Sequence, residues 1–316
     1  MRSDEEHELL VAARAGDGGA FDALVAGHRA ALHLHCYRML GSFHDAEEAT
    51  QEALLRAWRK LDTFESRAPL GHWLYRIATT TCLNMITSRG RQPSTTEIPW
   101  LEPYPDDLLD PAGIAERRES VRLAFIAALQ ALPATQRAAL ILRDVLAWPA
   151  AEVADLLDTS VAAVNSLLQR ARSALPLTTP SSTALVQRDR EVARRFVEAW
   201  NHCDIEALAS LLREDAILRM PPERVQIVGR AAVTDFFATV PAGGRLDTIG
   251  LMLVRANDSW AVAAYLPSDS GVREAYGLMV LSTESGSIAE ITGFPDPGLF
   301  KLFGLPAVFG EAWESR

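Results

Sequence analysis

Apolar residues recur at helical spacing through the first third of the chain. Ala46, Ala49, Ala53 and Ala57, with Leu54, Trp58 and Leu61, mark the inner face of a helix over residues 45–61. Asp45 followed by Glu48 has the spacing of a capping box. Glu48, Gln51, Glu52, Arg56 and Arg59 are left on the polar side of that helix. A second stripe, Trp73, Leu74, Ile77, Ala78, Cys82 and Ile86, predicts a helix over 71–89. From residue 116 the pattern is helical again, and PAAEVADLLDTSVAAVNSLLQRARSAL (149–175) breaks at Asp158-Thr159-Ser160, which predicts a helix, a turn with an N-cap, and a second helix. In that second helix Val161, Val164, Leu168, Ala171 and Leu175 share one face. Thr159, Ser160, Asn165, Ser166 and Gln169 are left outside near its start. Small and amide side chains at the first turns of a helix fit a major groove, and Arg170 and Arg172 suit phosphates. Periodicity alone leaves an ordinary helical hairpin equally open.

The pattern changes after residue 187. Helices over 189–200 and 205–212 precede strand-like runs at 216–220, 248–255, 260–266, 275–281 and 288–294. Asn257-Asp258 and Ser285-Gly286 sit between runs as hairpin turns. Helices followed by an antiparallel sheet predict an α+β domain. Two breaks separate these regions. Residues 92–112 hold five prolines and cannot form a helix or a central strand. Residues 176–184 have the Ser/Thr/Pro composition of a second linker. The expected division is therefore 1–91, a linker at 92–112, 113–176, a linker at 177–186, and 187–316.

Charge sharpens this division. Residues 1–91 carry eleven basic and twelve acidic side chains, whereas 92–112 carry five acids and no base. The 316-residue chain has a net charge of −10, which argues against a free-standing basic nucleic-acid binder. Lys60 and Lys301 are the only lysines; coding bias explains this as well as a preference of arginine forks for phosphate. Three cysteines (Cys36, Cys82, Cys203), far apart and without a CxxC pair, exclude a disulfide scaffold and a standard zinc module. His28, His33, His35 and His44 match no metal-ligand spacing, so no metal and no cofactor are expected. The charged opening MRSDEEHELL lacks the apolar core of a signal peptide, and a cytoplasmic location is expected.

The front half resembles a known family. DAEEATQEALLRAWRKLDTFESRAPLGHWLYRIATTTCLNMITSRGR (45–91) is similar to the core-binding and promoter-melting domain of sigma-70 factors of the extracytoplasmic-function (ECF) type. LQALPATQRAALILRDVLAWPAAEVADLLDTSVAAVNSLLQRARSAL is similar to their second DNA-binding domain. The resemblance implies two all-α sigma domains whose partners are core RNA polymerase, through its β′ clamp and β flap, and promoter DNA. Glu48, Gln51, Glu52, Arg56 and Arg59 would then meet the β′ clamp. Phe64 to Leu70 would correspond to the loop that captures a flipped base of the minus-ten element. Phe64, Arg67, His72, Tyr75, Arg76 and Asn84 would face the non-template strand, with Trp73 in the core. Thr159, Ser160, Asn165, Ser166, Gln169, Arg170 and Arg172 would meet the minus-thirty-five element. The linker IPWLEPYPDDLLD, with Trp100 and Tyr104, resembles that of SigG-type factors, and its carboxylates can imitate nucleic-acid phosphates in the RNA-exit path.

Residues 187–316 resemble SnoaL-like domains, cones of curved sheet with packed helices, through FVEAWNHCDIEALASLL, DAILRMPP, IVGRAAVTDFF and ITGFPDP. Asp215, Asp247, Tyr265 and Tyr276 are the residues to ask about acid–base chemistry, and none aligns with a catalytic position, so no enzyme is expected. Trp200, Met220, Phe236, Trp260 and Tyr276 are candidate walls of a pocket for a small-molecule ligand. The apolar tail over 296–310, with Leu299, Phe300, Leu302, Phe303 and Leu305, must be covered by its own cone or by the sigma domains. The resulting expectation is a sigma factor that initiates transcription at specific promoters, modulated by the fused cone. The rivals are a stand-alone ligand-sensing helix-turn-helix regulator and a SnoaL-like enzyme.

Overall fold

A computed structural model describes residues 3–65, 68–88, 90, 101–109, 118–174, 183–221 and 225–310. They divide into two compact units: residues 1–96, 108–120 and 125–177 form the first, and 97–107, 121–124 and 178–316 the second.

The first unit is built of helices α1 (Ser3–Arg14), α2 (Gly18–Ala26), α3 (Arg29–Leu40), α4 (Phe43–Arg59), α5 (Leu70–Ser88), α6 (Leu123–Gln130), α7 (Ala134–Leu140), α8 (Ala150–Leu156) and α9 (Val161–Ala174). Helix α4 begins two residues earlier than its pattern predicts. Ser42 is the N-cap, its side chain accepting the Asp45 N–H at 3.1 Å, and Asp45 lies in the first turn, where a carboxylate suits the helix dipole. The alanine stripe of α4 is buried as its spacing predicts, because small side chains let α3 and α5 approach closely. Buried arginines join α3 to the segment around α6 and α7. Arg38 donates to the Ser120 carbonyl and hydroxyl at 3.2 and 2.8 Å. Arg137 donates to the carbonyls of Met39, Gln130 and Leu132. The Arg137 guanidinium is tolerated inside because both its terminal nitrogens meet carbonyls that also lack water. Burial lowers the Arg137 pKa to about 10, which still leaves it charged.

The second unit carries helices α10 (Thr183–Asn201), α11 (Ile205–Leu211) and α12 (Arg230–Thr239), and strands β1 (Leu212–Arg219), β2 (Gln226–Val228), β3 (Gly250–Ala256), β4 (Ser259–Pro267), β5 (Arg273–Glu284) and β6 (Ser287–Phe294), followed by the short α13 (Gly298–Leu302). The sheet order is β2-β1-β6-β5-β4-β3. The expected α+β class holds, with one correction. The sheet is mixed, because β1 runs parallel to β6 while every other neighbour is antiparallel. The chain leaves β1 through β2 and α12 and enters the sheet again at its far edge, so its last strand meets its first in the same sense. Both expected turns form: Asn257, Asp258, Ser285 and Gly286 all have positive φ, as a two-residue hairpin requires. One core of Phe196, Trp200, Phe237, Val262 and their neighbours lies between the sheet and the helices.

The apolar tail is covered by its own cone. Leu299 and Phe300 are buried, and Tyr265 stands 4.9 Å from the Phe300 ring while its hydroxyl donates to the Pro306 carbonyl. Backbone bonds from Ala275 to Ala307 and from Phe309 to Arg273 stitch the tail to β5.

Candidate functional site

Two polar helix faces of the first unit lie open. On α4, Glu48, Gln51 and Arg59 are exposed, and Glu52 and Arg56 are half-buried and paired at 2.6 Å. Leu55 stands among them, 51% exposed. Its spacing from Glu48, Gln51, Glu52 and Arg59 places it on their face, as an apolar centre ringed by charge that the helical pattern alone did not single out. On α9, Val164, Leu168 and Ala171 are buried, while Thr159, Ser160, Asn165, Ser166, Gln169, Arg170 and Arg172 are exposed. Asp158 takes a left-handed conformation (φ 50°) to make the turn, and the Ser160 hydroxyl accepts the Ala163 N–H to start the helix. Val161, expected on the buried stripe, is exposed, because the stripe begins only one turn later. Arg172 is held by Asp144 through two bonds of 2.6 and 2.8 Å, which presents it at a fixed angle.

The polar face of α5 is different. The His72 ring stacks on Trp148 at 4.7 Å and lies 3.3 Å from the Glu152 carboxylate. Tyr75 meets the edge of the same indole at 6.3 Å, and Arg76 bonds Asp155 at 2.7 Å. Trp148 reaches this place because a π-helical turn, Ile141–Val145, leads into Ala147 at φ 58°, turning the indole inward beside α8. Asn84 is exposed, one helical end away from this contact. Phe64 is buried against Trp73 at 5.2 Å, and any approach of this ring to DNA needs it to leave that packing. Arg67 lies outside the described residues.

In the second unit the linker is docked. Leu101 and Tyr104 are buried, and Pro105 bridges to Ala256 at the end of β3. Asn257 makes three bonds there: its N–H donates to the Tyr104 carbonyl at 2.9 Å, its side-chain oxygen accepts the Tyr104 N–H at 2.8 Å, and its side-chain amide donates to the Val121 carbonyl at 2.8 Å. Asp106 accepts from Arg255 and from the Asp258 N–H at 2.9 and 2.8 Å. Burial pushes its carboxyl up to about 6 against the opposing pull of Arg255. Trp100 lies outside the described residues.

Trp200, Met220, Phe236 and Tyr276 line a cavity in the cone. Trp260 stands elsewhere, with the guanidinium groups of Arg190 and Arg255 over its ring, because its strand position faces α10 and the hairpin end. Asp215 and Asp247 are exposed and paired with Arg213 and Arg245, whose hydrogen bonds hold both carboxyls below the usual range. Among the described residues no group of three His, Cys, Asp or Glu could hold a metal ion, and no helix is long and apolar enough to cross a membrane.

Comparison with known proteins follows the same divisions. Family models for sigma-70 region 2, sigma-70 region 4 and a SnoaL-like domain match residues 24–92, 122–175 and 193–291. The ECF RNA polymerase sigma factor SigG of Mycobacterium tuberculosis is 41% identical, over 91% of this chain and 84% of its own. SigJ of the same species is 35% identical over 57% of this chain and 58% of its own. The crystal structure of M. tuberculosis SigJ superposes with a TM-score of 0.65 at 25% identity, covering 89% of this chain and 99% of that one. With two sigma-70 regions in order, a docked linker and a SnoaL-like cone behind them, the chain belongs to the ECF RNA polymerase sigma factors, which bind core polymerase and promoter DNA to initiate transcription.

Proposed function

We propose that the first unit, as described, is a resting state of the factor, which core polymerase opens. In the working state the polar side of α4 (Glu48, Gln51, Glu52, Leu55, Arg56, Arg59) docks on the β′ clamp. Arg67, His72, Tyr75, Arg76 and Asn84 meet the non-template strand, and Asn165, Ser166 and Gln169 read base edges of the minus-thirty-five element between phosphate contacts from Arg170 and Arg172. One observation carries this reading: Trp148, Glu152 and Asp155 occupy His72, Tyr75 and Arg76, the residues needed for melting. The same side chains cannot hold α8 and a DNA strand at once.

The cone acts as a regulator and carries out no chemistry, working in the cytoplasm. Its grip on residues 101–107 supports this, since a linker bound to the end of β3 and the Asn257-Asp258 turn is a linker withheld from the RNA-exit path. Residues 1–91 and 113–176 serve as the two sigma domains and 187–316 as the cone. The test is run-off transcription with purified core polymerase from the gene's own upstream region, comparing the full chain with residues 1–176. Specific transcripts from both, more abundant from 1–176, are expected. Equal yields would remove the regulatory role, and failure to bind core polymerase would overturn the whole reading.

A further inference from the structure

Arg14 ends helix α1, outside the residues 24–92 that match sigma-70 region 2. A basic residue in a last turn suits the helix dipole, but this side chain reaches further than that place requires. Its Nε N–H donates to the Leu61 carbonyl at 3.4 Å and Nη2 donates to the Phe64 carbonyl, 47 and 50 positions along the chain. Those two carbonyls bound a single turn of 3-10 helix, Leu61–Thr63, which leads out of α4. The Phe64 N–H closes that turn on Leu61 at 3.2 Å, and the Thr63 hydroxyl donates to the Lys60 carbonyl at 2.7 Å. Phe64 itself is extended (φ −77°, ψ 107°), with its ring buried. One guanidinium thus holds the carbonyl where the turn starts and the carbonyl where it ends, and so fixes the direction in which the chain leaves. A planar fork can bridge two carbonyls in this way, whereas an ammonium is a point donor. The helices behind Arg14 are firmly seated: Leu10 and Ala13 of α1 are buried, and Phe21 of α2 meets the Trp58 ring at 5.1 Å, three residues before Leu61.

We propose that Arg14 is a positioning residue for promoter melting. It touches no DNA, but holds the entrance of the segment between Phe64 and Leu70 in the geometry in which Arg67 and the first turns of α5 receive the non-template strand. This rests on the assignment of those residues to that strand made above. A segment fixed at its entrance has less freedom to lose when the strand arrives. Duplex opening feels the difference most, because capture has to outweigh the pairing and stacking that the duplex gives up. On a template already open that competition is absent.

The test is transcription by the full chain with core polymerase from the gene's own upstream region, in two forms. One is the plain duplex, and the other carries a mismatched bubble over the thymines that permanganate marks as open with the parent. Arg14→Ala should cut the duplex transcript about fivefold, the worth of a hydrogen bond from a charged donor that water also reaches. The bubble transcript should stay within about twofold of the parent, because the cost of opening has been removed. Arg14→Lys should recover part of the loss, one carbonyl being within its means. Arg29→Ala breaks the neighbouring pair between α3 and Asp22 of α2 (2.6 Å), away from residues 61–64, and should match the parent on both templates. Melting temperature and retention on core polymerase should be unchanged throughout. An undiminished duplex transcript from Arg14→Ala would overturn the proposal. So would an equal loss on both templates or a lowered melting temperature, either of which would make Arg14 a fastening of the fold alone. No transcript from the parent on either template would instead bring down the sigma-factor reading on which the proposal rests, and the proposal with it.

Discussion

Helices α5 and α9 both carry polar residues proposed above to meet promoter DNA, yet the molecule treats them oppositely. The outer face of α9 is open from Thr159 to Arg170, with its apolar side buried and Arg172 at its far end held by Asp144. The corresponding face of α5 is already spent on an indole and two carboxylates from residues 148–155. Duplex recognition needs only a face that fits a groove, which can stand ready at little cost in water. Strand capture needs aromatic and cationic side chains that attract any stacking or anionic partner, and an internal partner keeps them from the wrong one.

The largest effect should come from a third surface against which both can be calibrated. Leu55→Asp places a charge at the apolar centre of the α4 face and should lower core-polymerase affinity by more than tenfold without altering the melting temperature, since truncating or charging a central interface anchor costs about 2 kcal/mol or more. Affinity chromatography with core enzyme would check it; retention equal to the parent would remove Leu55 from the interface. Next comes the open helix. Asn165→Ala combined with Gln169→Ala should cut specific transcription about tenfold or more, each lost base contact being worth about 1–3 kcal/mol. Thermal stability should not move, and a drop in stability instead would mean that the α9 face is structural.

The occupied helix should respond more modestly and with the opposite sign. Glu152→Gln with Asp155→Asn weakens two partly exposed pairs worth about 0–1 kcal/mol each. Binding of a minus-ten single strand by the full chain should therefore rise a few fold, read by fluorescence anisotropy. A fall would show that these carboxylates assist strand capture. The smallest effect concerns the linker. The Asp106 carboxyl is raised to about 6 in the docked state, so its proton favours docking fully below the ordinary carboxylate pKa near 3.8, and that contribution fades as pH rises to about 6. Hydrogen exchange of residues 101–107 should accordingly quicken from pH 4 to pH 6, after correction for intrinsic rates, and Asp106→Asn should flatten that profile.

What could be read from the residues alone follows the range of the forces involved. The α4 stripe, the turn at Asp158-Thr159-Ser160 and both hairpin turns are local matters of period and positive φ, and they stand where the spacing put them. Ser42 displaced Asp45 as cap because two good capping residues three apart compete, and pattern does not rank them. The parallel β1–β6 pair joins positions over seventy residues apart, and periodicity has no term for the direction of such a partner. The placement of Trp148 on His72, of Phe64 on Trp73 and of Tyr104 under Asn257 depends on side chains brought together only by the finished fold. Linker composition foretold an extended linker without helix; among its described residues 101–105 are free of helix, whereas Asp106–Leu108 make a turn of 3-10 helix, and nothing in five prolines and five acids says what it lies on.

The turn at Asn257-Asp258 carries a consequence for how such a chain can change over generations. Glycine is the residue that the backbone there, at φ 55°, would accept most readily, so Asn257→Gly leaves the hairpin intact. The same change deletes both side-chain bonds to Tyr104 and Val121. A single mutation can thus loosen a linker still held by Asp106 and by the backbone, on a cone that still folds, which would make the strength of the proposed regulation an inherited dial, adjustable without risking the scaffold that bears it.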